Sequence, residues 1–506
     1  MSLNLLALLP ELILVLTGVL VMLAEPLIAP GRTRKPLGWL AILGTIASGL
    51  ATLYQLHVAD NFHPAGLLAT LPGSGTLTAF SGTIEVSAFS VFFHLLIASI
   101  VLVTLLASLD YFEDPITHAG EYFALVCFGA TGMMFMTSSV ELLMVFIGLE
   151  ISSISTYILA GFRKGRATAS EAAIKYFLLG SFATAFFLYG IALCFGATGS
   201  TSIAAIAAGL AITKTPLLGW LAVAMVLIGL GFKVSAAPFH VWTPDVYQGA
   251  PSPVVALMST APKAAAFAVL LRFLFNATPM YRDHWVLMIA ILAIASMTIG
   301  NLGALLQTDV KRLLAYSSIA TAGYILVAFT AAQREAVSAT LFYTAAYAAM
   351  NVGAFLVLTQ LSGFDEKLRT IDDFTGLALK RPVLSALFGF FLISLIGIPF
   401  TGGFFGKFYV LSAAVHSGHT WLAIVGLANS GVACFYYLRL LAALYARPAT
   451  DTLADTPTPS RVTLPAAVAL AATAVATLAL GILPNHVLHL TQRATPTTIA
   501  AAAPTR

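Results

Sequence analysis

Residues 218–253 read LGWLAVAMVLIGLGFKVSAAPFHVWTPDVYQGAPSP, and this stretch decides the fold. From Pro216 to Phe232 there is no charged residue; the run then meets Lys233, Ser235, two alanines and Pro238. Within hydrocarbon a single segment satisfies its backbone only as a helix, and a proline inside that helix removes a donor and crowds the preceding turn. The stretch therefore reads as a membrane helix interrupted beside a lysine.

Similar apolar runs recur along the chain, each long enough at 1.5 Å per residue to cross roughly 30 Å of hydrocarbon. We count about fourteen spans on that length criterion. Their cores begin near Leu3, Gly38, Ser87, Tyr122, Ser139, Ala169, Leu217, Pro253, Trp285, Val310, Ala336, Val383, Thr420 and Val462. The runs are continuous rather than alternating, so the expected fold is an all-α polytopic membrane bundle and not a barrel.

Composition agrees with this reading. Of 506 residues, 59% are hydrophobic and 9% charged, against about 25% charged in an ordinary soluble domain. The mean hydropathy of +0.93 places most of the chain in hydrocarbon. A soluble enzyme of dinucleotide-binding type, a disulfide-stapled domain and a nucleic-acid binder are all disfavoured. The lipid bilayer is the first partner implied, and a net charge of +4 is too small to imply an acidic one. Cys127, Cys194 and Cys434 lie singly in apolar runs without metal spacing, and read as packing residues. The N-terminus lacks a basic n-region and a cleavage site, and reads as a retained first helix.

Basic residues sort by alternate loops. One set holds Arg32, Arg34, Lys35, Arg163, Lys164, Arg166, Lys311, Arg312, Lys367, Arg369, Lys380, Arg381, Arg447 and Arg461. The other, with the C-terminal tail, holds Lys214, Arg282, Arg334, Arg493 and Arg506, and the connection from Val58 to Val86 holds none. The bias predicts that the first set is cytoplasmic and that both termini lie on the opposite face of the membrane. This requires an even number of spans.

Six basic residues remain inside spans: Lys175, Lys233, Lys263, Arg272, Lys407 and Arg439. Glu150, in ELLMVFIGLEISSISTYIL (141–159), joins them. Arg272 and Arg439 sit toward helix ends and are expected to snorkel; Glu11, Glu25, Glu121, Glu141 and Glu171 are likewise nearer to span ends and are weaker candidates. Glu150, Lys175, Lys233 and Lys263 read as too deep to snorkel, and Lys407 follows a break. At about 2.5–3.5 kcal/mol each, five such residues cost on the order of 15 kcal/mol. One acid cannot neutralise four bases, which argues against purely static ion pairs. At an effective dielectric of about 20, a carboxylate about 6 Å away favours the charged form of a lysine by roughly 3 kcal/mol. Moving Glu150 relative to a lysine would thus switch that lysine between holding and releasing a proton.

The second break lies in LFGFFLISLIGIPFTGGFFGKFYVL (387–411), where Gly397, Pro399, Gly402 and Gly403 precede Lys407. Broken helices at membrane depth are tolerated beside protein or a wet cavity, and a lysine at each suggests an ion site. The breaks fall five spans apart, so two five-helix units would run in opposite directions. That divides the chain into 1–120 (three spans), 121–277 (first repeat), 278–446 (second, inverted repeat) and 447–506 (a loop and the last span). His240, after Pro238, reads either as a hydrogen-bonded loop histidine or as a proton relay. No histidine or cysteine constellation suggests a metal.

The stretches KVSAAPFHVWTPDVYQGAPSPV (233–254), KRLLAYSSIATAGY (311–324) and IGIPFTGGFFGKF (396–408) resemble the antiporter-like membrane subunits of respiratory complex I, the proton-pumping NADH:quinone oxidoreductase. The resemblance covers essentially the whole chain. Within the family the chain is most similar to the N type: it lacks the lateral helix of the L type and carries Lys407 where the M type has a glutamate. The resemblance implies a translocase subunit without a redox centre or cofactor of its own. NADH, FMN, iron–sulfur clusters and quinone would belong to other subunits, with K- and M-type subunits as neighbours. It implies that Glu150 and Lys233 are a proton-affinity pair, Lys175 an adjacent lysine, Lys263 a central relay and Lys407 the proton-releasing group. Relatives commonly have a histidine where this chain has Thr321, whose hydroxyl can hold water but cannot store a proton. A Mrp-type cation/proton antiporter subunit is the alternative.

Overall fold

The computed structural model describes residues 3–29, 31–61, 76–112, 119–163, 165–447 and 462–493. Among them, thirteen helices are long and apolar enough to cross a membrane: Leu9–Leu27, Lys35–Ala59, Ala88–Ser108, Ala119–Ser138, Leu142–Ala160, Ala167–Thr198, Pro216–Val234, Ser252–Ala277, Pro279–Leu305, Val310–Thr330, Gln333–Ser362, Thr420–Tyr445 and Leu464–Ile482. One more span is split into Pro382–Ile396 and Gly402–His416, each half 15 residues. Counted in chain order these make spans 1 to 14, with the split helix as span 12, and each matches an expected core. Lys164, Arg461, Arg506 and much of the Val58–Val86 connection lie outside the described residues, as does the side chain of Arg493.

Among the described residues a hairpin and several short helices add to the bundle of spans. Strands Leu77–Ala79 (β1) and Ile84–Val86 (β2) pair antiparallel, with Leu77 opposite Val86, and Val140 N–H donates to Thr83 O at 3.0 Å beyond them. This hairpin alternates buried and exposed residues over only three positions per strand, too short a pattern to register in sequence. A ten-residue apolar helix, Ile203–Ile212, lies between spans 6 and 7.

Several of the described loop cations meet at one end of the bundle. Arg166 reaches Asp365, Arg163 and Lys311 reach Glu366, and Lys35 reaches Asp110. Arg439 donates to the carbonyls of Leu305 and Gln307 at this same basic end. Spans 8, 10 and 11 form the core; span 8 is enclosed on all sides. A helix apolar all round belongs in such a place, and its alanines (APKAAAFA, 261–268) let neighbours approach closely.

Candidate functional site

Each of three buried lysines stands beside a helix interruption. Span 7 ends at Ser235, in the left-handed region with φ 62°, and the first half of span 12 ends at Gly397 with φ 93°. Gly403, in the first turn of the second half, packs so close to the first half that a Cβ there would collide with Ser394 O. A third interruption divides span 8 into Ser252–Met258 and Ala261–Arg272, immediately before Lys263. Sequence reasoning counted two breaks and missed this one. Its signal was Pro262, which lacks an N–H and crowds the carbonyl of Met258.

The freed backbone is satisfied locally, as buried polar groups must be. After the first break, Ala237 N–H donates to Ser296 Oγ at 2.8 Å, and Trp242 Nε1 donates to Phe232 O at 3.1 Å. The Ala237–Pro238 bond is cis. At the third interruption Asn351 Nδ2 donates to Ser259 Oγ at 2.7 Å.

Lys233 Nζ donates to Ser153 Oγ at 2.7 Å and lies 3.5 Å from Tyr157 Oη, with the Tyr157 ring 5.2 Å away. Ser153 in turn donates to Leu149 O, which leaves its oxygen free to accept. Glu150 stands three residues before Ser153, hence on the same face of span 5, and interacts electrostatically with Lys233. Its Oε1 is buried without a direct partner. Lys263 Nζ donates to Ser318 Oγ at 2.6 Å and to Ser318 O at 3.1 Å. Lys407 Nζ donates to the carbonyls of Ile396 at 2.7 Å and Leu395 at 3.2 Å, and to Ser430 Oγ at 3.0 Å. Those carbonyls are the orphan acceptors at a helix C-terminus, where a cation is favoured. All three side chains are under 9% exposed, and among the described residues none forms an ion pair with a carboxylate.

Lys175 belongs elsewhere, contrary to the expected depth. Its side chain is 40% exposed and pairs at 2.6 Å with both Glu171 and Asp245. The physical reason is length: span 6 has 32 residues, about 48 Å against roughly 30 Å of hydrocarbon, so its ends overhang. Lys175, eight residues in, reaches the basic end. Arg272 is not an exposed anchor either; it is 4% exposed and donates to Ser139 O at 2.9 Å and to Glu85 of β2 at 3.2 Å. His240 is half-buried at the first break, with Nδ1 buried and unpartnered.

Two clusters escaped sequence reasoning because each is assembled from distant segments. Glu366 is 6% exposed and accepts from Arg163 at 2.9 Å, from Lys311 at 3.1 Å and from Ser252 Oγ at 2.7 Å. Burial pushes its carboxyl up, but Lys311 and Arg163 together outweigh that and hold it below the ordinary carboxylate range. It borders a cavity of about 230 Å³ shared with Arg166, Asp245 and Arg312. Near the opposite end, Glu11 and His94 are each 1% exposed and lie 3.6 Å apart. Glu11 shows that nearness to a span end does not guarantee exposure.

Known proteins resemble this chain over most of its length. The profile described as "NADH:quinone oxidoreductase/Mrp antiporter, TM" covers residues 139–433, which include all three interruptions. The chain is 50% identical over 483 residues to NADH-quinone oxidoreductase subunit N 2 of Koribacter versatilis, covering 95% of this chain and 94% of that one. Among solved structures it is similar to a chain of respiratory complex I from Thermus thermophilus, at 36% identity, TM-score 0.77, and coverage of 96% and 99%. A chain of the Mrp complex from Dietzia shares the fold at TM-score 0.83 and 20% identity, with 98% and 97% covered. With these interrupted spans and their lysines, the chain belongs to the NADH:quinone oxidoreductase/Mrp antiporter membrane-subunit family.

Proposed function

We propose that the chain translocates protons as the N-type membrane subunit of an NADH:quinone oxidoreductase, with Glu150, Lys233, Lys263 and Lys407 as the groups that hold and pass the proton. The observation that carries this reading is the set of three buried lysines, each at a helix interruption and each held by hydroxyls or carbonyls instead of a carboxylate. A lysine kept out of water without a counter-ion is costly to hold charged, so its charge can follow the movement of Glu150 beside Lys233. Energy would come from quinone reduction in other subunits, which would also hold NADH, FMN and the iron–sulfur clusters. K- and M-type subunits are the proposed neighbours.

The basic end, with Arg163, Lys311 and Glu366, faces the cytoplasm of a bacterial inner membrane in this reading, and both termini face the periplasm. Residues 121–277 and 278–446 act as the two inverted repeats, the first holding the interruptions at Pro238 and at Ser259–Thr260 and the second that at Gly397–Gly403. Lys175 is assigned a positioning role, tying the Thr243–Gly249 helix through Asp245, while His240 stands at the first break as a relay. The Mrp-type reading rests on shared fold, whereas the relative that is half identical over nearly its whole length is an oxidoreductase subunit.

The test is proton uptake by inverted membrane vesicles carrying the assembled enzyme. Lys233→Ala and Glu150→Gln should abolish or sharply reduce uptake per NADH oxidised. Undiminished uptake in both variants would sink the proposal.

A further inference from the structure

Between Lys263 and Lys407 the structure offers no histidine, and Thr321 does not bridge them. Its hydroxyl donates along its own helix to Ser317 O at 3.0 Å and faces the buried Tyr343 hydroxyl, so neither lysine is among its partners. What fills the space between the two lysines is a set of buried tyrosines on spans 10, 11 and 13. Ser318, which holds Lys263, also accepts from Tyr347 Oη at 2.6 Å. Its neighbour Ser317 is hydrogen-bonded to Tyr437 Oη. The Tyr437 and Tyr436 rings lie 4.5 Å apart between centroids, and Tyr436 Oη donates to Asn301 Oδ1 at 3.1 Å. Asn301 Nδ2 donates to Asn429 Oδ1 at 3.2 Å, and the next residue, Ser430, holds Lys407. Tyr324 is packed against Lys407, with its ring centroid 5.0 Å from Nζ, and its hydroxyl is buried without a direct partner while facing Asn301 and Ser430.

We infer that in this chain the hydroxyls of Tyr437, Tyr436 and Tyr324 carry the proton from Lys263 to Lys407, with Asn301 aligning them, in place of a side chain at position 321. The inference rests on the proton-translocation reading above. A hydroxyl is both donor and acceptor: each oxygen takes a proton on a lone pair and releases its own hydrogen to the next group. One proton leaves the Lys263 ammonium, one arrives on a neutral Lys407 amine, and no tyrosine ends charged. Asn301 donates and accepts hydrogen bonds but does not carry the proton. The steps from Ser318 to Ser317, from Tyr436 to Tyr324 and from Tyr324 to the Lys407 amine are bridged by water, which buried hydroxyls without protein partners characteristically recruit.

The test compares Tyr437→Phe, Tyr324→Phe and Lys263→Ala in the assembled enzyme, reading proton uptake per NADH oxidised in inverted vesicles. Both phenylalanine variants keep the ring. Tyr324→Phe removes a hydroxyl with no direct protein partner, so a purely structural role predicts no change there. The expected result is a fall in uptake to the level of Lys263→Ala for both. Uptake at the parental level in both phenylalanine variants, with Lys263→Ala inactive, overturns the tyrosine route and leaves the proposed function standing. Parental uptake in Lys263→Ala would overturn the relay on which both rest.

Discussion

The interruptions in spans 7 and 12 put the same chemical group in two different settings. At the first, the lysine precedes the break and leans on a side chain, Ser153 Oγ at 2.7 Å, with Glu150 one turn away. At the second, the lysine follows the break and folds back onto the backbone, accepting nothing and donating to the carbonyls of Ile396 and Leu395. A side-chain partner and a nearby acid can move. Two carbonyls at a helix end are a fixed partial negative charge. In the proposed function this difference makes Lys233 the lysine that Glu150 can switch, while Lys407 takes up its proton in a setting of fixed backbone carbonyls.

Three experiments press on that contrast. The largest effect is expected from Glu366→Gln, which strips the shared anchor at the basic end and leaves Arg163 and Lys311 buried and uncompensated. Breaking such a pair costs about 3–5 kcal/mol, read as a lower thermal unfolding temperature of the solubilised protein. Because the folded carboxyl is held below its ordinary value, its contribution is complete above an unfolded pKa of about 4.3 and is lost only as pH falls through the lower folded value. The parent-minus-variant difference should therefore stay flat from pH 8 to pH 5 and shrink in stronger acid. A difference that vanishes already near neutrality would show that the carboxylate is not the anchor.

The next effect is a matched pair. Ser153→Ala removes the closest acceptor of Lys233, a hydrogen bond to a charged group of about 1.5–3 kcal/mol. Ser430→Ala leaves Lys407 both carbonyls and should cost less than about 1 kcal/mol. Proton uptake per NADH should fall clearly in the first and little in the second; equal losses would erase the distinction between the two sites.

The smallest effect concerns the break residues. Gly397→Val imposes a β-branched side chain at φ 93°, with its Cβ 3.1 Å from Lys407 Cδ, for about 1–2 kcal/mol or somewhat more. Ser235→Gly places glycine at φ 62°, where relief of strain and added chain entropy nearly offset each other within about 1 kcal/mol. Thermal unfolding of the two variants measures the asymmetry, and a Ser235→Gly loss as large as that of Gly397→Val would contradict it.

Much of this was legible along the chain. Continuous apolar runs announce spans because hydrocarbon leaves the backbone no alternative, and Pro238 and Pro399 announce breaks because proline cannot complete the ladder. Lys233, Lys263 and Lys407 stood out because ionisable residues in mid-span are rare. Lys175 stood out for the same reason and proved different, since one-dimensional hydropathy does not reveal how far a helix of 32 residues overhangs the bilayer. The interruption at Ser259–Thr260 was announced only by Pro262, without the glycines that flag the break in span 12. Glu366, in a charged loop, carried no signal of its own, yet two cations from distant segments enclose it.

The sequence alone thus determined the membrane-spanning helical class, the number of spans, the sorting of loop cations to one end and the identity of the buried lysines, because each follows from local preference for hydrocarbon or water. Only the tertiary structure decided which groups those lysines touch, that Lys175 stands with Asp245 at the basic end, and that tyrosines occupy the space beside Thr321. Those facts depend on contacts between residues up to 135 positions apart, such as Tyr436 with Asn301, and no local pattern encodes which helices become neighbours.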